Sequence, residues 1–387
     1  MKLAKLSLAA ILAAGTFSVA NATSLQDAIQ GVTLNGFLRI RYYNRSYNVG
    51  NTYNRWRTNG VFVFGVPIGD NLKMVYRSSV QTNVFTDDDQ VLGGTTLIDD
   101  YIHNDYLYMS YSNGPVNAIV GKIPVMTPVT SSDPASPGHG AGAIASYNVG
   151  NGLTLAGAYV DALTNEGFTV GNTVYAAAAI YNSDMFSGQA WYFHATNLIK
   201  NLYTLQATVK PIAGLTLHGD FASSKLDDAV EENADNKTYF NISAKYAANG
   251  FCGKIGYAST NDKDGIIDLS GATDWGDAPI AAVLPVANRY NIANLTDTDA
   301  YYAKLGYNVN AKTKIYAAYA KVDQSKEAGD NDSDEYKIGA DYAYNKKLGF
   351  HIYYDVLDYD KDKAVYNGAE KDWHTWNEFR FEARYNF

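Results

Sequence analysis

The chain of 387 residues is poor in cysteine and in charge. It has one cysteine, Cys252, and only 18% of its residues are charged. A single cysteine excludes an intramolecular disulfide framework and a multi-cysteine zinc site. Acidic side chains outnumber basic ones by 40 to 31, so the basic surface that nucleic-acid phosphates require is lacking. Soluble proteins carry about 25% charged residues, so the low charge disfavours that class.

The one long apolar run lies at the start of the chain. Two lysines precede the apolar residues 6–19, and an Ala-Asn-Ala pattern follows at 20–22. This order predicts a secretory signal peptide over residues 1–22, cleaved after Ala22. The mature chain would hold 29 basic and 40 acidic side chains, net −11. No later stretch reaches 18 apolar residues in a row, so the sequence predicts no membrane-spanning helix after the signal.

The mature chain instead alternates apolar and polar residues from about residue 34 to its end. In the last segment Phe379, Phe381 and Tyr385 share one face of an extended strand, and Arg380 and Arg384 share the other. A period of two predicts a β-strand with one apolar and one polar face. The apolar faces are rich in Tyr, of which the chain has 32, and the polar faces carry full charges. Tyr suits a surface that is apolar on one side and wet on the other.

Short and long connections alternate between these segments. Gly, Asn and Asp dominate short ones such as 113–115 and 248–250, whereas 83–103 and 261–298 are long. This arrangement predicts an all-β, transmembrane antiparallel β-barrel of about 18 strands over residues 33–387. The short turns would be periplasmic and the long loops extracellular, and residues 23–32 would form a short periplasmic lead. Sixteen strands is the alternative, if two weak strands merge with loops.

Several segments resemble the major outer membrane protein (MOMP) porins of Campylobacter and its relatives. They are the signal MKLAKLSLAAILAAGTFSVANA, the lead LQDAIQGVTLNGFLRIRY, the segments at 151–162 and 174–182, and the ending FRFEARYNF. The resemblance implies a trimeric, 18-stranded general porin whose third external loop folds into the lumen. It also implies, as in some members, a calcium ion near the constriction. The third loop here departs from the family pattern, because it has four prolines and Asp133 as its one acid, so no metal ligand is assigned.

Inward positions on neighbouring strands predict a basic wall in the pore. Its members come from the first three strands and the fifth: Arg39, Arg41, Arg55, Arg57, Arg77 and Lys122. Rings of charge set which ions pass a channel. The proline-rich loop 124–140 is predicted to fold into the lumen opposite this wall, with Asp133 placing a field across the narrowest section. The alternative is that these arginines merely line a wide, solvated lumen.

The function that these features predict is general diffusion of small hydrophilic solutes and ions, without a cofactor or a chemical step. Acidic loops such as 227–228 and 330–335, interpreted as solvated, predict a weak cation preference. Lipid and lipopolysaccharide are the expected partners, and no nucleic acid is expected.

One alternative function is a sugar-selective channel, for which the inward aromatic residues are too scattered: Phe37, Tyr43, Tyr239, Tyr302 and Tyr353. The other is an adhesin or structural barrel. The six histidines show neither metal-ligand spacing nor a catalytic set.

Overall fold

The computed structural model describes most of the chain after the predicted signal peptide. The described ranges are 31–49, 52–86, 97–165, 168–271, 276–289, 291–325, 331–360, 365–366, 369–370 and 374–387. The predicted signal peptide and most of the predicted periplasmic lead lie outside these ranges. Among the described residues there is no helix long and apolar enough to cross a membrane.

Regular structure in the described residues consists of strands. They are β1 (Thr33–Tyr47), β2 (Tyr53–Gly69), β3 (Leu72–Thr86), β4 (Leu97–Asn113), β5 (Val116–Pro124), β6 (His139–Gly150), β7 (Leu153–Asn165), β8 (Phe168–Val170), β9 (Val174–Asn182), β10 (Phe186–Ala195), β11 (Ile199–Ile212), β12 (Leu215–Leu226), β13 (Asn236–Ala248), β14 (Phe251–Thr260), β15 (Thr298–Asn308), β16 (Thr313–Gln324), β17 (Ser333–Ala343), β18 (Leu348–Tyr359), β19 (Val365–Tyr366), β20 (Ala369–Glu370) and β21 (Thr375–Asn386).

Eighteen of these strands close into one antiparallel barrel. Each pairs with its neighbours along the chain, and β21 closes the circuit by pairing with both β18 and β1. The short β8 only extends the rim beside β7, and β19 and β20 form a separate hairpin. The prediction of an 18-stranded barrel is therefore confirmed, and the sixteen-strand alternative is wrong.

The turns at one end of the barrel are short, as predicted. Each joins its strands through two to four residues. Asn151 and Asn249 adopt φ values of 51° and 49° there, each followed by a glycine with positive φ. Asn and Gly tolerate this left-handed conformation, which tight turns between twisted strands require. Connections at the opposite end are longer, except the three residues between β10 and β11.

The two faces of the strands separate by polarity in the predicted sense. Large apolar side chains point outward and are exposed, such as Ile255 at 65% and Ile338 at 62%. Their inward neighbours are cations or polar groups, such as Lys254 and Lys337, which lie over lumen aromatic rings. The outward aromatic residues therefore do not meet across the interior.

One irregularity in β4 changes which residues face inward. The β3–β4 register shifts between Arg77 and Ser78. An extra residue of this kind bends a strand and re-aims its side chains. Here it leaves two consecutive residues, Asp105 and Tyr106, each only 7% exposed. Asp105 thereby reaches Arg77, with 2.9 Å between Oδ2 and Nε.

Two long loops from nearly opposite walls meet inside the barrel. The β5–β6 loop (125–138) and the β14–β15 loop (261–297) are joined by hydrogen bonds. Leu269 N donates to Val129 O at 2.7 Å, and Ile280 N donates to Pro128 O at 2.9 Å. Ser131 Oγ also donates to the β14–β15 loop, to a carboxylate oxygen of Asp277 at 3.0 Å. The lumen is thus crossed by a bridge made from both loops.

The bridge packs on the inner wall formed by β6 to β16. Apolar residues of the two loops, among them Val129, Leu269 and Ile280, join buried wall residues such as Phe193 and Leu202 in one cluster. Burial of such side chains releases about 25 cal/mol per Å² of apolar surface. The bridge therefore covers part of the inner wall on this side of the barrel. The polar wall from β17 through β21 to β3 remains lined with charged groups.

Candidate functional site

The five predicted arginines of the wall lie side by side on β1, β2 and β3. Strand alternation turns them inward, and the β1–β2 register places Arg39 opposite Asn59 and Arg41 opposite Arg57. Arg39 is 2% exposed and donates Nη2 to Asn59 Oδ1 at 3.1 Å. Arg57 donates Nε to Gln81 Oε1 at 2.7 Å. Amide side chains on the neighbouring strands thus hold the guanidinium groups flat against the wall.

Arg39, Arg41 and Arg77 also have carboxylate partners. The pairs are Arg41 Nε with Glu382 Oε2 at 2.5 Å, Arg77 Nε with Asp105 Oδ2 at 2.9 Å, and Arg39 Nη1 with Asp133 Oδ1 at 3.9 Å. The first two pairs have the short N–O distances of charge-assisted hydrogen bonds, which are stronger than hydrogen bonds between neutral groups. Much of the positive charge of the wall is therefore balanced locally.

The β5–β6 loop touches this wall directly. Arg77 donates Nη2 to the carbonyl of Pro134 at 2.6 Å, and Asp133 lies beside Arg39 with its side chain 36% exposed. A recess of about 270 Å³ lies between loop and wall, lined in part by Gln81. The loop is in the lumen, but its tip rests on the arginines instead of facing them across an open gap.

Lys122 does not join the wall. It shares its face of β5 with Val120, which is 57% exposed, and lies opposite Leu107, which is 52% exposed. Both neighbours point outward, so Lys122 does as well. Its Nζ donates to the carbonyl of Asn104 at 2.5 Å.

Cations and aromatic rings alternate around the lumen from β14 to β1. In each pair a cation lies over the ring of a neighbouring strand: Lys254 over Tyr302 at 5.0 Å, Lys304 over Tyr316 at 4.3 Å, Lys337 over Tyr353 at 4.2 Å and Arg380 over Tyr43 at 4.4 Å. Cation–π contacts of this length are favourable. Strand parity already placed most of these residues inward. The alternation of cations and rings around the lumen depends on the register between neighbouring strands, which could not be derived from the sequence.

The buried carboxylates of the β14–β15 loop and its surroundings were not predicted. Burial raises the pKa of Asp268 to about 7, because its carboxyl is wholly enclosed, and burial also raises the pKa of Asp277. Glu335, interpreted from the sequence as part of a solvated acidic loop, lies in β17 and is 1% exposed. That interpretation is wrong for Glu335, because the β14–β15 loop covers it.

The described residues contain no group of three or more His, Cys, Asp or Glu side chains arranged to hold a metal ion. Calcium binding, implied by the family resemblance, remains a prediction without assigned ligands.

Two family models match the chain. Residues 1–173 match the Campylobacter major outer membrane protein, and residues 208–362 match the Gram-negative porins. No curated protein matches the chain. Barrel, lumen loops and family matches together define the class: the protein is a channel-forming porin of the bacterial outer membrane. The match of residues 1–173 to the Campylobacter major outer membrane protein confirms the resemblance seen in the sequence.

Solved structures of outer-membrane channels share the fold. Pseudomonas aeruginosa OccK5 (OpdH) is 12% identical, with a TM-score of 0.69 over 92% of this chain and 98% of that one. Acinetobacter baumannii OccAB1 is 11% identical, with a TM-score of 0.71 over 92% and 96%. Pseudomonas aeruginosa OpdL is 16% identical, with a TM-score of 0.68 over 92% and 99%. At these identities the likeness shows the fold alone.

Proposed function

We propose that the protein is a general diffusion porin that passes small hydrophilic solutes and ions with a weak cation preference. The observation that carries this proposal is the pairing of the wall arginines with carboxylates. A wall of unpaired arginines would favour anions strongly, whereas the ion pairs of Arg41 with Glu382 and of Arg77 with Asp105 weaken that field.

The cation preference would come from the mouth of the channel. The chain is acidic, with 40 acidic against 31 basic side chains. Carboxylates such as Glu231 and Glu232 are exposed on the long-loop side. An acidic vestibule raises the local cation concentration before ions reach the wall.

A sugar-selective channel is less well supported. Sugar stacking would need open aromatic faces along the lumen. Here the rings of Tyr43, Tyr302 and Tyr353 each have a cation over them. The cations occupy the positions that a sugar ring would take.

The remaining expectations also belong to this proposal. The mature protein would begin after Ala22 as one barrel without a catalytic role, and would assemble as a homotrimer. Its exposed outward side chains, such as Leu38 and Ile242, would contact lipid or a neighbouring subunit. Exposed carboxylates near the rim would contact lipopolysaccharide through divalent cations.

Purified protein in planar bilayers should give stepwise conductance without added substrate. In a salt gradient we expect a cation-to-anion permeability ratio of about 2 to 5, because charges more than ~8 Å from an ion are largely screened at physiological salt. Asp133→Asn should lower that ratio, and Asp184→Asn on a short turn should leave it unchanged. A clear anion preference of the unmodified protein would contradict the proposal. Concentration-dependent block of the current by a simple sugar would favour the selective channel instead.

A further inference from the structure

Glu335 binds a turn of the β14–β15 loop at residues 287–289. Its carboxylate accepts three successive backbone N–H groups: Ala287 N at 2.7 Å, Asn288 N at 2.5 Å and Arg289 N at 2.6 Å. Hydrogen bonds to an ionised acceptor are about twice as strong as neutral ones. A side chain of β17 thus holds a segment that belongs to a different part of the chain.

Neighbouring groups hold the same turn from further directions. Asn288 donates Nδ2 to Asp355 Oδ2 on β18 at 2.5 Å. Arg289 donates Nη2 to the carbonyl of Asn331 at 2.8 Å and lies over the ring of Tyr359 at 5.4 Å. Asn288 and Arg289 are both 0% exposed. We call Glu335, Asp355 and the turn 287–289 the clamp.

The clamp is one of several places where described residues hold the loop, and Lys254 on β14 holds another by donating Nζ to Val283 O at 3.4 Å. The base is held by Lys237, whose Nζ donates to Leu295 O at 2.8 Å, and the middle by the hydrogen bonds to the β5–β6 loop. The loop has 37 residues between β14 and β15. A segment of that length gains much conformational freedom when hydrogen bonds that hold it are removed. The clamp therefore fixes the segment around residues 287–289, while the other contacts hold the rest of the loop.

The clamp is adjacent to the charged wall of the lumen. Glu335 is two residues from Lys337 on the inner face of β17, and Lys337 is the register partner of Asp355. The turn 287–289 thus ends beside the arc of cations and aromatic rings. A loop released here would leave more open cross-section along that arc.

We propose that Glu335 is a positioning residue for transport: it fixes the β14–β15 loop in the lumen and so limits the width of the passage. The proposal rests on the channel function. It assigns Glu335 no contact with the solute, because the side chain is covered by the turn that it holds. Asp355 supports the same turn through Asn288.

The test compares Glu335→Gln and Glu335→Ala with the unmodified full-length protein in planar bilayers and in liposome swelling with sugars of increasing size. Gln keeps the side-chain volume but has one carbonyl oxygen for three donors, and Ala has none. We expect single-channel conductance to rise on the order of twofold in Glu335→Ala, because conductance follows the cross-section of the narrowest part. Larger sugars should also enter, with Glu335→Gln intermediate.

The matched control is Asp334→Asn. This neighbouring carboxylate lies on the outer face of the same strand, where it accepts from the hydroxyl of Tyr319. Its conductance and size limit should match the unmodified protein. Hydrogen exchange over residues 283–289 should be faster in both Glu335 variants and unchanged in the control.

Unchanged conductance and size limit in folded Glu335 variants would overturn the proposal, whether or not exchange is faster. If Glu335→Ala does not insert, Glu335→Gln decides alone. Absence of conductance in the unmodified protein would instead overturn the channel proposal, so the two failures are distinguishable.

Discussion

Ile255→Arg should destabilise the inserted barrel by about 2–4 kcal/mol, because an arginine on the lipid face near the bilayer midplane carries that penalty. Ile255 lies in the middle of β14, points outward and is 65% exposed. The stability of the protein in lipid bilayers can be measured by denaturant titration, with the shift in gel mobility on heating as the readout of folding.

The control for this substitution is the adjacent residue. Lys254→Arg puts an arginine one position away on the lumen face, over the ring of Tyr302. This variant should stay within about 0.5 kcal/mol of the unmodified protein, as substitutions that break no special feature usually do. Equal destabilisation by both variants would contradict the assignment of inner and outer faces.

The barrel can be predicted well from the sequence, because strands and tight turns are each marked by residues that are close together in the chain. Alternation in a segment such as 375–387 shows both faces of a strand, and Asn-Gly pairs such as 249–250 mark the turns. Membrane insertion reinforces this pattern, since in lipid every backbone group must be paired and the apolar face must point outward. Strand number and the inward direction of Arg39 and Arg77 follow from the same pattern.

The constriction was less predictable because it depends on contacts between distant segments. The β14–β15 loop has no periodicity, so neither its fold into the lumen nor the burial of Asp268 could be derived from it. Glu335 lies within an acidic stretch whose composition is typical of a solvated loop. In the structure it is covered by the turn 287–289, which lies almost fifty residues earlier in the chain. Lys122 was placed on the wrong face, because within β5 it shares the outer face with the exposed Val120.

Stability of the lumen bridge should fall as pH rises from about 4 to 7. The pKa of Asp268 is about 7 when its carboxyl is buried, against an ordinary value near 4 when the loop is released. A group whose pKa is raised in the folded state contributes its stabilisation fully below the unfolded pKa, and that contribution is lost as pH rises through the folded pKa. The difference corresponds to about 4 kcal/mol, at 1.36 kcal/mol per unit.

The structure explains the size of this effect. Asp268 is 0% exposed, and its Oδ1 accepts from Ser270 N at 2.7 Å and from Ser270 Oγ at 2.5 Å. Its Oδ2 accepts from Asn291 Nδ2 at 3.1 Å. None of these donors carries a charge, so they offset only part of the cost of an ionised carboxyl in this enclosure. Asp277, whose pKa is also raised by burial and by nearby Asp133, acts in the same direction.

Hydrogen exchange over residues 266–271 and 276–281, corrected for intrinsic rates, should therefore show less protection at pH 8 than at pH 5. Asp268→Asn should flatten most of this dependence, because an amide has no charge to bury, with a small constant loss from the changed contact to Asn291. Asp262→Asn is the matched control at the base of the same loop, since its side chain is 65% exposed. A steep pH dependence that survives in Asp268→Asn would show that another group governs the bridge, with Asp277 the next residue to replace.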